Sequence, residues 1–95
     1  MSSRYAFAKS VKELRFLFCQ TSEQSAAVRS FLARAYPTMK KNNPDTPILL
    51  RDGTGTSPRV FARYERGLEK FLPLDGMVDK QIEEAVTGLV QRPES

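Results

Sequence analysis

Apolar residues along this chain of 95 fall into two periods. Leu14-Arg15-Phe16-Leu17-Phe18-Cys19 is a short run of branched and aromatic residues and predicts a buried strand. From Val28 the spacing changes. Val28, Phe31, Leu32, Ala35, Tyr36 and Met39 recur at three and four residues, which lays one stripe along a helix. Thr21 with Gln24 three positions on has the form of a capping box for that helix. Pro37 interrupts the stripe, so a kink or break is expected there, with a further turn to about Lys41. The cluster from Asn42 to Pro47 reads as a turn, Ile48 to Arg51 as a short strand, and Asp52 to Ser57 as a loop. From Arg59 to Tyr64 the alternation is strict, with Val60, Ala62 and Tyr64 on one side and Arg59, Phe61 and Arg63 on the other. Glu65-Arg66-Gly67 suits a hairpin turn into a strand over Leu68 to Leu72, which Pro73-Leu74-Asp75-Gly76 ends. Ile82, Ala85, Val86, Leu89 and Val90 return to helical spacing within a last helix from Asp79 to Val90.

The predicted order is β-α-β-β-β-α. A helical crossover makes the first two strands parallel, and the short turn makes the last two antiparallel. Four strands in a mixed sheet with two helices to cover it is an α/β, thioredoxin-like arrangement. There are no repeats and no dividing linker, so residues 13–92 are expected to form one domain, with residues 1–12 as a basic N-terminal tail.

Composition narrows the chemistry. A single cysteine, Cys19, rules out a disulfide within the chain and a cysteine-built zinc site. The chain has no histidine, which removes the commonest general base and any Ser-His-Asp triad. No apolar stretch is long enough to span a membrane. The net charge of +4 is uneven: residues 1–41 carry eight basic and two acidic side chains, whereas residues 42–95 carry seven and nine. A basic first half suits RNA or an acidic protein. Within residues 1–12, Arg4, Lys9 and Lys12 stand among serines with no acid, the bias of a matrix-targeting segment and equally of a solvated terminus.

Two groups of residues are candidates for function. Cys19-Gln20-Thr21-Ser22 is a Cys-x-x-Ser spacing between the first strand and the helix, where a helix N-terminus favours a thiolate. Ser57-Pro58 stands where thioredoxin-like enzymes place a cis-proline against the thiol. Cys19, Ser22 and Pro58 therefore form a candidate vestigial redox position, against the alternative of a plain packed cysteine. Arg59, Arg63 and Arg66, with Arg51 and Phe61, form a candidate docking face for an acidic protein surface or an RNA backbone, against the equal alternative of a solvated strand face. Gly53-Thr54-Gly55-Thr56 lacks the lysine and helix of a phosphate loop.

Particular stretches go further: Phe18-Cys19-Gln20-Thr21-Ser22, Val28-Arg29-Ser30-Phe31, Lys40-Lys41-Asn42-Asn43-Pro44-Asp45-Thr46-Pro47-Ile48-Leu49-Leu50-Arg51, Ala62-Arg63-Tyr64 after Pro58, and Pro73-Leu74. From about Leu14 to Val90 the chain resembles one family, subunit 2 of the alpha subcomplex of NADH:ubiquinone oxidoreductase (respiratory complex I), whose domain is shared with some mitochondrial ribosomal proteins. The resemblance implies a non-catalytic accessory subunit with no cofactor of its own. It also implies a position on the matrix side of the mitochondrial inner membrane, in the peripheral arm, against other complex I subunits including the large iron–sulfur subunit. No nucleic acid is expected as partner on this reading. A mitochondrial ribosomal RNA-binding protein of the same domain family and a monothiol redox protein using Cys19 are the alternatives. Animal members carry a second cysteine where this chain has Gly53, so a redox pair does not carry over. Pro37 is also unusual for the family.

Overall fold

The computed structural model describes residues 6–91. In chain order the elements are β1 (Val11–Phe18), α1 (Ala26–Asn42), β2 (Ile48–Asp52), β3 (Arg59–Tyr64), β4 (Glu69–Pro73) and α2 (Asp79–Gln91). Short 3-10 turns at Glu23–Ser25 and Glu65–Gly67 precede α1 and link β3 to β4. The strands form one mixed sheet in the order β2-β1-β3-β4, with β1 parallel to β2 and the other neighbours antiparallel. The α/β architecture, the parallel crossover and the hairpin are as the two apolar periods require.

The core lies on one side of the sheet. Leu14, Phe16 and Phe18 of β1, Ile48 of β2, and Val60, Ala62 and Tyr64 of β3 share one face by alternation. Val28, Phe31, Leu32, Ala35 and Met39 of α1 and Ile82, Val86, Leu89 and Val90 of α2 close over them. Phe16 and Phe31 meet at its centre, ring centroids 6.3 Å apart. Removing each large side chain from water contributes about 1.5–3 kcal/mol. α1 and α2 are pinned to each other at the surface. Arg34 pairs with Asp79 and with Glu83 at 3.2 Å, and the Ser30 hydroxyl donates to Asp79 at 3.1 Å.

Three local expectations need correction, and one open point is resolved. The Thr21/Gln24 capping box does not form: α1 begins at Ala26 and both residues are exposed. Ser25 is buried there instead, and its hydroxyl accepts the Cys19 N–H at 2.9 Å. Pro37 does not break α1, which continues to Asn42. The carbonyl that Pro37 leaves unpaired is that of Ala33, and both residues are exposed, so water can satisfy it. Ser57-Pro58 is not a cis bond, since the described residues contain no cis peptide. Finally, β1 starts at Val11 rather than Leu14, and β4 runs to Pro73. Proline is tolerated in β4 because that strand is an edge.

Of the expected basic tail, residues 1–5 lie outside the described residues, as does Arg92 at the far end of the domain. Residues from Ala6 onward are tied to the body. The Ala8 N–H donates to the Val90 carbonyl at 2.7 Å, and the Phe7 N–H to Asn43 Oδ1 at 2.9 Å. Asn43 also donates through Nδ2 to the Met39 carbonyl at 2.8 Å, so one buried amide joins the entering chain to the end of α1. Tyr64 makes a similar link, its hydroxyl donating to the Leu89 carbonyl at 2.8 Å, and burial pushes its phenol pKa up.

Asn43→Ala is expected to destabilise the fold by about 1–3 kcal/mol, because it strands the Phe7 N–H and leaves the Met39 carbonyl with only the backbone N–H of residue 43. Tyr64→Phe should cost about 1 kcal/mol. Urea melts of both variants check this, and an Asn43→Ala protein as stable as the parent would show that the strap contributes nothing.

Candidate functional site

Two regions carry the candidate residues. The first surrounds Cys19, immediately after β1. The side chain is 2% exposed. Its sulfur lies 3.6 Å from Thr21 Oγ1, and the thiol pKa is lowered from 9.0 to about 6. The Thr21 backbone N–H is the largest cause, followed by the Gly55 N–H, the Thr21 hydroxyl and the Ser22 N–H, while burial pushes the other way. A small nest of loop amides therefore holds the thiolate, rather than the dipole of α1 that the sequence suggested. Arg29 braces the loop, donating from Nη1 to the carbonyls of Cys19 and Ser22, each at 2.8 Å.

The other two members of the expected thiol site are placed differently. Ser22 contributes its backbone N–H, and its hydroxyl is buried with no hydrogen-bond partner. Pro58 is a fully buried core residue whose carbonyl accepts the Leu74 N–H at 2.9 Å. The β2–β3 loop reaches the sulfur through Gly55, at φ +73°, a backbone angle that glycine adopts without strain. Sequence spacing pointed to the proline because the loop path is not legible from it.

The second region is the sheet face turned away from the helices. Cross-strand register arranges it in rows. Leu49, Arg15, Phe61 and Phe71 form the middle row. There the Arg15 guanidinium sits 5.2 Å from the Phe61 ring centre, and Phe61 stacks on Phe71 at 5.5 Å. Phe71 is 56% exposed. To one side, Glu13, Arg63 and Glu69 make an ionic row. Arg15 pairs with Glu69 at 2.6 Å and with Glu13 at 3.3 Å, and Arg63 pairs with Glu13 at 3.1 Å. To the other side, Arg51 and Arg59 flank Leu17, with Pro73 beyond Arg59. Neither of these two arginines has an acidic partner among the described residues.

The face thus unites Arg51, Arg59, Phe61 and Arg63 of the expected docking set. It excludes Arg66, which stands in the β3–β4 turn with φ +66°. Arg15, Leu17, Leu49 and Phe71 belong to the same face and were missed. The available signal was the alternation of Glu13, Arg15 and Leu17 against Leu14, Phe16 and Phe18, hidden because β1 read as buried throughout. Such a surface offers aromatic and apolar contact beside two charges that lack counter-ions, which suits a protein partner bearing carboxylates. Among the described residues no three metal-ligating side chains converge, and no helix is long and apolar enough to cross a membrane.

The sequence model of the mitochondrial ribosomal protein L51 / S25 / CI-B8 domain matches residues 28–79. The NADH-ubiquinone oxidoreductase 10.5 kDa subunit of Neurospora crassa is 63% identical over 91 residues, covering 96% of this chain and 97% of its own. The NADH dehydrogenase [ubiquinone] 1 alpha subcomplex subunit 2 of Arabidopsis thaliana is 43% identical over 96% of this chain and 94% of its own. The protein of the same description from Mus musculus is 33% identical over 94% and 91%.

Cys19 should tie stability to pH. Because the folded state favours the thiolate, its contribution is complete above pH 9, the thiol's ordinary value, and is lost as pH falls through about 6. The difference in urea midpoint between the parent and Cys19→Ala is therefore expected to widen in the parent's favour from pH 6 to 9. A difference that stays constant over that range would remove the amide nest as its cause.

Proposed function

The chain belongs to the mitochondrial ribosomal protein L51 / S25 / CI-B8 domain family, and on that premise we propose that it is a non-catalytic accessory subunit of mitochondrial respiratory complex I. It docks in the matrix peripheral arm and supports assembly or stability of the NADH-oxidising module. Near full-length similarity to complex I subunits of a fungus, a plant and a mammal is the observation that carries this reading. The chemistry of the chain agrees with it. There is no histidine, and the one cysteine has no second thiol in the chain to resolve against. Electrons pass through neighbouring subunits, and this chain holds no cofactor of its own.

The bare sheet face is the docking surface, with Phe61 and Phe71 as apolar anchors and Arg51 and Arg59 awaiting carboxylates. Arg63 is part of the same face, and Arg66 extends it at the hairpin turn. The partner is another complex I subunit, the large iron–sulfur subunit of the arm being the foremost. The protein lies in the mitochondrion, peripheral to the inner membrane on the matrix side, and residues 1–12 serve as the basic address. Ribosomal RNA fits less well, because Glu13 and Glu69 already neutralise Arg15 and Arg63. A monothiol redox role draws support from the lowered pKa of Cys19, and is opposed by the burial of that sulfur.

Native gels of mitochondrial membranes test the reading directly. The chain should migrate with NADH dehydrogenase activity, and a pool found wholly as free monomer would end the proposal. An Arg51→Glu/Arg59→Glu variant is expected to fold normally yet enter the complex about tenfold less well or worse. A Cys19→Ser chain should assemble and support respiration like the parent, and loss of respiration in that strain would favour the thiol reading.

A further inference from the structure

The two edges of the sheet are not alike. β4 carries Glu69, Lys70 and Pro73, the charges and proline with which proteins discourage strand pairing. β2 is Ile48-Leu49-Leu50-Arg51-Asp52, with no proline, no lysine and no register shift against β1. Leu49 is 39% exposed on the bare face and Leu50 is 42% exposed on the helix side. Two bonds fix the direction of its backbone. The Leu14 N–H donates to the Pro47 carbonyl at 3.0 Å, and the Gly53 N–H to the Phe18 carbonyl at 3.0 Å. In a parallel ladder this alternation turns the amides of Leu49 and Arg51 towards β1 and those of Ile48, Leu50 and Asp52 outward. An apolar strand with an outward row of donors and acceptors is a template for another strand.

A groove lies beside this edge, between α1 and β2, with a volume of about 390 Å³. Phe18, Leu32, Tyr36 and Leu50 form its apolar walls, and Gln20 and Arg29 are its polar lining. The Arg29 guanidinium bonds only backbone carbonyls, so its positive charge has no carboxylate among the described residues. Apolar walls with one uncompensated cation define what fits: an apolar side chain and a carboxylate on the same extended segment.

We propose that an extended, acidic and apolar segment of a partner protein adds to β2 as a fifth strand, seating an apolar side chain in the α1–β2 groove and a carboxylate on Arg29. Alternate residues of that segment point to the groove and to Leu49, which joins this contact to the bare sheet face. The inference rests on the docking reading above and deepens it by naming the form of the partner.

Amide hydrogen exchange on the chain alone and within the assembled complex tests it. In the free protein the Leu50 and Asp52 amides exchange fast and those of Leu49 and Arg51 slowly. In the complex all four should be slow, with Leu50 and Asp52 slowed by about a hundredfold or more. Equal Leu50 and Asp52 rates in both states would overturn the proposal. Leu50→Pro removes the outward N–H together with the side chain and leaves every bond to β1 its donor, so it should lower incorporation by about tenfold or more, while Leu50→Ala, which removes the side chain alone, retains most of it. Should Leu50→Pro fold and assemble like the parent, the fifth strand is excluded; should it fail to fold, the exchange pattern alone decides. Failure of the unaltered chain to enter the complex at all would instead remove the docking reading, and this inference with it.

Discussion

A four-stranded sheet has two faces, and this chain has helices for one. Phe16 of β1 meets Phe31 of α1 because the pleat sends Leu14, Phe16 and Phe18 towards the helices and must therefore send Glu13, Arg15 and Leu17 away from them. A chain of this length buries a limited core, and α1 and α2 together cover the sheet once. The bare face follows from that one-sidedness.

The bare face does not remain a plain hydrocarbon surface. Arg15 lies over Phe61 and spans Glu13 and Glu69, so the middle of the face is held by ions and rings together. Exposed pairs of this kind add little to stability, each worth about 0–1 kcal/mol. Their effect is to hold the side chains of this face in place. Where the acids end, Arg51 and Arg59 stand beside Leu17 and Pro73, and on the helix side Arg29 stands beside the groove. Charge is balanced in the middle of the surface and left open at its margins.

The thiol contrasts with this. Three backbone amides and one hydroxyl lower the pKa of the Cys19 thiol, yet almost no solvent reaches the sulfur. Its environment favours the thiolate while its burial withholds it from reagents, and the Ser22 hydroxyl has no hydrogen-bond partner among the described residues. The shielded sulfur lies at the junction of β1, the turn before α1 and the β2–β3 loop, and its amide neighbours come from the last two of these.

Periodicity alone determined the six elements, the parallel first pair, the hairpin and most of the core, because strand and helix spacing are local properties of neighbouring residues. Alternation also put Arg59, Phe61 and Arg63 on an outer surface; Arg51 and Arg66 were grouped with them, and of these Arg51 shares the face while Arg66 stands in the turn. The bare side of β1 was present only as a weak alternation of Glu13, Arg15 and Leu17 with Leu14, Phe16 and Phe18, which the apolar run from Phe16 to Cys19 obscured. Periodicity could not show Pro37 carried within α1, which depends on whether Ala33 faces water. The partners of Cys19 were likewise out of reach, because Gly55 meets the sulfur only after the crossover has brought the β2–β3 loop back beside β1. Contacts between residues distant along the chain are set by how the layers close, and only the tertiary structure decides them.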